Sequence, residues 1–177
     1  GFRQSSAMIS VAKETSQTAT TLVAANVAKM YSRCLQPERA VWIANPDVLP
    51  QLMTMVIGNN VIWTPPTTGF TQAPGGTLLG RPVLLSDQAE TLGAAGDIIL
   101  VNPDGYYAVN KAGGAQFAAS IHLYFDYDVQ AFRWTFRLGG QPFLSAPVSP
   151  ANGSKTRSHF VQVAVRARGG VVVVVEE

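Results

Sequence analysis

Apolar side chains recur at three- and four-residue spacing through Ala19, Leu22, Val23, Val27, Met30, Tyr31 and Cys34, the period of one helix face. Lys29 and Arg33 fall in the last turns, where the helix dipole favours cations, and Thr15 or Ser16 offers a capping hydroxyl. The spacing predicts one amphipathic helix over residues 18–35. Its outer face carries Thr18, Thr20, Thr21 and Ala25 in place of Glu and Lys, so cover on both sides is expected. Residues 8–13 read as a short strand before it, and residues 40–44 as a short buried strand after it. Asn45-Pro46-Asp47 then starts a second helix: Asn45 caps, Pro46 suits the first helical position, and Asp47 meets the positive helix end. Leu49, Leu52, Met53 and Val56 form its stripe, and Gly58-Asn59-Asn60 supplies the stop.

The rest of the chain changes period. Residues 64–77 hold three prolines and three glycines and predict an irregular surface loop. Strands are expected over residues 78–85, 98–101, 106–109, 121–127, 132–138 and 160–167. Asn102-Pro103-Asp104-Gly105 between two of them fits a type I turn. Phe132, Trp134, Phe136 and Leu138 alternate with Arg133, Thr135 and Arg137, and Val161, Val163 and Val165 alternate with Gln162 and Arg166, so one face of each segment is expected to be buried. The class is α+β, with a long helix, a shorter one and a mainly antiparallel sheet.

Composition sharpens this picture at the surface. The 177 residues suffice for one domain with a sizeable core, yet only 14% are charged against about 25% in an ordinary domain. A net charge of +2 is too weak for a dedicated nucleic-acid or membrane patch. The single Cys34 excludes an internal disulfide, and a reducing compartment is the default. No apolar run is long enough to span a bilayer, and no secretory signal pattern opens the chain.

Searching for chemistry yields little. The cluster 75–80 has neither the lysine of a phosphate loop nor dinucleotide-binding spacing. His122 and His159 sit in strand patterns, Asp126 and Asp128 read as turn residues, and Cys34 lies in an apolar stripe as a small core residue. Arg166-Ala167-Arg168-Gly169-Gly170 reads as a solvated strand end, and Asn152-Gly153-Ser154 as a turn. Residues 171–175, all valine, followed by Glu176 and Glu177, form a strand or an aggregation hazard.

The order of segments carries more information. The run Asn26-Val27-Ala28-Lys29-Met30 precedes Ala40-Val41-Trp42-Ile43-Ala44-Asn45-Pro46-Asp47, with Leu52 behind it. Then come Gly76-Thr77-Leu78-Leu79-Gly80-Arg81-Pro82-Val83, Thr91-Leu92-Gly93 and Gly96-Asp97-Ile98-Ile99-Leu100. Ala131-Phe132-Arg133, Arg137-Leu138-Gly139-Gly140-Gln141-Pro142 and Pro150-Ala151-Asn152-Gly153-Ser154 complete the series. Over about residues 8–168 this order resembles the major capsid protein family of tailed bacteriophages, with the Hong Kong 97-like fold.

The resemblance implies a peripheral lobe, made of a spine helix and a long β-ribbon, and an axial lobe of short helices around a mixed sheet. By analogy residues 1–38 would be peripheral, 39–118 axial, and 119–177 the ribbon and returning strands. The family's N-terminal arm and extended loop precede the matched region and are expected to be absent, and no cross-linking lysine of that loop is identified. The implied role is structural and not enzymatic: a phage or prophage major capsid subunit, in the virion capsid and assembled in the host cytoplasm. No cofactor or metal and no membrane is expected. Its partners would be copies of itself in pentamers and hexamers, packaged double-stranded DNA by non-specific contact, and scaffold, portal or decoration proteins. Phe70, Arg81, Arg133 and Arg137 are the candidate subunit-interface residues. An encapsulin-type nanocompartment shell is the alternative within the same fold. Low charge and the neutral helix face both fit a subunit that buries surface against neighbours.

Overall fold

The computed structural model describes residues 1–64 and 76–166, the side chains of 123–125 apart. The bulk of the expected loop 64–77, with Phe70, and the valine run 171–175 lie outside the described residues. The body is a seven-stranded mixed sheet of β1 (Ile9–Val11), β2 (Val41–Ala44), β5 (Trp63–Thr64), β6 (Thr77–Leu78), β7 (Arg81–Leu85), β8 (Ile98–Val101) and β13 (Phe160–Val163). The strands lie in the order β1-β13-β8-β2-β7-β6-β5. The pairs β1–β13 and β2–β7 run parallel; the other four are antiparallel. The sheet draws strands from all three stretches 1–38, 39–118 and 119–177.

Strand β8 is Ile-Ile-Leu-Val with every residue buried, the unbroken apolar run of a strand covered on both faces. On one face Leu100, Trp42, Val83 and Val161 join Val27 and Met30 of helix α1 (Ala24–Arg33) in the main core. On the other, Ile99, Val101 and Phe160 pack with Phe2, Met8, Ile43 and Tyr106, and Phe2 stacks on Phe160 at 5.4 Å. Buried Trp42 donates its indole N–H to the Leu78 carbonyl at 3.0 Å, so its one polar atom is satisfied across β7.

Helix α1 has ten residues, not the eighteen the spacing predicts, and it is no long spine. Thr18 to Thr21 belong to the preceding turns, where Thr20 is left-handed at φ 55 and Thr21 donates its hydroxyl to the Thr18 carbonyl. Neither Thr15 nor Ser16 caps; Asn26, one turn inside, accepts from the Val23 N–H at 3.3 Å. Threonine hydroxyls bond locally to backbone and compete with helix, which the apolar period does not register.

Asn45 behaves as expected: its side chain accepts from the Asp47 N–H at 3.0 Å and opens a 3₁₀ turn leading into α2 (Leu49–Met53). Asn102 repeats the device on the Asp104 N–H at 3.1 Å; both tripeptides make one kind of cap, but the first leads into a helix and the second into a strand. The expected stop at Gly58 is instead a hairpin turn between β3 (Val56–Ile57) and β4 (Asn60–Val61), and Met53 and Val56 are exposed. The stretch 78–85 is two strands, because Leu79 (φ 49) and Gly80 (φ 73) both turn left-handed in the two-residue hairpin that suits strand twist.

Two further ribbons stand as separate two-stranded sheets. One joins β9 (Tyr106–Asn110) to β12 (Leu138–Pro142); the other joins β10 (Gln116–Tyr124) to β11 (Val129–Thr135).

Candidate interaction surfaces

In the β10–β11 ribbon Phe117 pairs with Trp134, and Phe132 with Ala119, which places the three aromatic rings on one face. Their centroids lie 5.3 to 6.2 Å apart. Such contacts stabilise a hairpin by about 0.5–1.5 kcal/mol each, yet the rings stay open to solvent, Trp134 by 70%. The expectation that Phe132, Trp134, Phe136 and Leu138 are buried within the chain is therefore corrected: all four are more than half exposed. Alternation reports that one face is apolar, not what covers it. On the β9–β12 ribbon Tyr107 of β9 and Phe143, just past β12, meet edge to face at 5.4 Å, and both are also exposed.

A two-stranded ribbon is marginal in water by itself, and large apolar patches on soluble chains mark contact sites. This aromatic face is thus the strongest candidate contact surface among the described residues.

The sequence-derived interface residues do not gather. Arg133 is exposed on β11, opposite Ala118 and on the ribbon face away from the rings. Arg137 is exposed between β11 and β12, where its carbonyl accepts from the Lys111 N–H at 3.1 Å. Arg81 opens β7, half-buried, with its Nε enclosed and unbonded. Asp126 and Asp128 occupy the turn between β10 and β11, where Asp128 is left-handed at φ 53.

Arg166 overturns its reading as a solvated strand end. It is fully buried; its guanidinium donates to the carboxylate of buried Asp97 and, at 2.8 Å, to the Thr21 carbonyl. Asp97 also accepts from the Gly93 N–H at 3.0 Å and the Ile98 N–H at 2.8 Å. Strand β13 ends at Val163, so Val165 falls outside the alternation and is exposed. The sequence contains both partners of this clasp, 69 residues apart, and no local pattern joins them.

His122 is exposed, whereas His159 packs against Gly105, and burial lowers its pKa against the pull of Asp104. Cys34 caps α1 in the core, where burial pushes its thiol up to about 11. Among the described residues no three His, Cys, Asp or Glu side chains lie close enough to share a metal. No helix among them is long and apolar enough to cross a membrane.

A well-packed body carrying an uncovered aromatic ribbon is a fold with a surface suited to meeting other chains. The comparisons agree. The model of the phage capsid family matches residues 1–153, and the chain belongs to that family. In fold it is similar to a solved structure described as the capsid of an empty GTA particle computed with C5 symmetry, with TM-score 0.60 and 14% sequence identity over 92% of this chain. The chain spans about half that protein's length, 55% of it. No curated protein matches it. This is a structural capsid protein of the bacteriophage major capsid class.

Proposed function

We propose that the chain is a major capsid subunit of a tailed phage or prophage, assembling with copies of itself into the pentamers and hexamers of an icosahedral, DNA-filled shell. The observation that carries this reading is the exposed aromatic face of the β10–β11 ribbon in a member of the phage capsid family. The low charge content supports it, since surfaces buried between subunits are depleted in charge. In this reading the mixed sheet with α1 and α2 is the axial lobe and the two ribbons are peripheral. That division differs from sequence boundaries at 38 and 118, because one sheet joins strands from both sides of each. Phe70, Arg81, Arg133 and Arg137 remain proposed contact positions, and scaffold, portal or decoration proteins proposed partners. Assembly in the host cytoplasm belongs to the same proposal.

Electron microscopy and light scattering of the complete gene product, beside the 177-residue chain at matched concentration, test the reading. Rings of five or six, or closed shells, are expected from the complete product. A compact monomer under assembly-favouring salt and crowding overturns the proposal.

A further inference from the structure

Three of the four lysines in the chain, far apart in sequence, converge on one cavity of about 320 Å³. Lys13 follows β1, Lys29 lies in α1, and Lys155 follows the turn at residues 151–154; Arg33, Ser10 and Ser32, with Val11 and Ala12, complete the lining. Arg33 is held in place, donating from Nε to the Thr156 carbonyl at 2.8 Å and from Nη2 to the Thr156 hydroxyl at 2.5 Å. Lys29 is paired with Glu14 at 2.6 Å. Lys13 and Lys155 make no ion pair among the described residues. Four cations around one concavity repel one another in the absence of an anion. Glu14 neutralises one, and the carbonyl end of α1 contributes about half an elementary charge, so a clear positive excess is left. The volume lies within the range of about 300–1,000 Å³ usual for ligand pockets.

We propose that this cavity is a site for consecutive phosphates, with Lys13 and Lys155 supplying unpaired ammonium donors, Arg33 a fixed guanidinium and Ser10 a hydroxyl. Several separated cations suit a run of phosphates better than one small anion, because each added phosphate finds its own counter-charge. The source of that chemistry is a nucleic-acid backbone or a free polyphosphate. The site acts in the single subunit and does not rest on shell assembly.

The test is fluorescence anisotropy of a labelled 20-base-pair duplex, and calorimetry with inorganic tripolyphosphate, on the whole 177-residue chain across a salt series. Lys13→Gln with Lys155→Gln is the pocket variant; both side chains are exposed, so the fold is expected to persist, as circular dichroism checks. Lys111→Gln with Arg39→Gln, both exposed and neither in the pocket lining, is the charge-matched control. The pocket variant is expected to weaken duplex binding and to lower the slope of log K against log salt by about 2, one unit for each phosphate left without its cation. The control leaves that slope unchanged, and tripolyphosphate displaces the duplex. Binding of tripolyphosphate without duplex, abolished in the pocket variant, assigns the site to free polyphosphate. Equal losses in both variants, or no binding of either probe, overturn the proposal.

Discussion

Gly105 shows how a single atom is policed in this structure. A Cβ there would stand 2.4 Å from both Cβ and Cγ of His159, atoms near the backbone that cannot swing away. Gly105→Ala is therefore expected to cost about 1–3 kcal/mol as overpacking, read as a lower urea midpoint with unchanged m-value. An unchanged midpoint would mean that the two segments separate freely. Cys34 gives a second measurable consequence. Its folded thiol titrates near 11 against 9.0 in the open chain, so the stability this group contributes is complete below 9.0 and is lost as pH rises toward 11. Alkylation by iodoacetamide at pH 8 should be slow in the native chain and fast in urea, and Cys34→Ala should flatten the alkaline decline. Rapid native alkylation at pH 8 would contradict a buried thiol.

Among the elements, the β10–β11 ribbon separates internal from external stabilisation. Phe132 and Trp134 touch each other and Phe117, yet contribute nothing to the core around Trp42. Phe132→Ser with Trp134→Ser should leave the thermal midpoint of the body within a few degrees. It should lower 1-anilinonaphthalene-8-sulfonate binding and reduce self-association, seen by light scattering of the complete gene product. A large fall in the midpoint would show that the ribbon packs on the body. Helix α1 teaches the complementary lesson. Its apolar stripe, Val27, Met30 and Cys34, is legible, and those residues are buried. Its start was not legible, because the cap is an asparagine inside the first turn and the threonines before it satisfy their own backbone.

Across the molecule, Asp97 and Arg166 tie three segments that are remote in sequence. Arg166 donates its backbone N–H to the Gly93 carbonyl at 2.7 Å and accepts from the Thr20 N–H at 3.0 Å, while its side chain reaches Asp97 and Thr21. Arg166→Met leaves a buried carboxylate without its counter-charge and is expected to cost about 3–5 kcal/mol. Asp97→Asn together with Arg166→Met should cost less than Arg166→Met alone, because the stranded charge is gone. Urea unfolding of both variants decides it; a double variant worse than the single one would show that hydrogen-bond geometry, not charge, dominates the clasp. By contrast the exposed pairs Arg3–Glu90 and Arg39–Asp104 are surface ion pairs, open to screening by water and salt.

Local chemistry was readable wherever one short stretch contains the whole cause. Asn45-Pro46-Asp47 caps because the acceptor and the N–H it binds are two residues apart, and the short apolar runs at β2 and β8 are strands because they are rich in the β-branched and aromatic residues that suit a pleated surface. The order of such stretches also carried the family resemblance. Three-dimensional packing settled the rest. Alternation in Phe132 to Leu138 is the same pattern whether the apolar face meets its own core or open solvent, and only the fold shows that the run divides between two separate ribbons, β11 ending at Thr135 and β12 starting at Leu138. Arg166 looked like a surface charge until the fold brought Asp97 to it, and three scattered lysines became one cavity only when β1, α1 and the 151–154 turn met. Burial and electrostatic fields are sums over neighbours distant along the chain, so they come into existence with the tertiary contacts themselves.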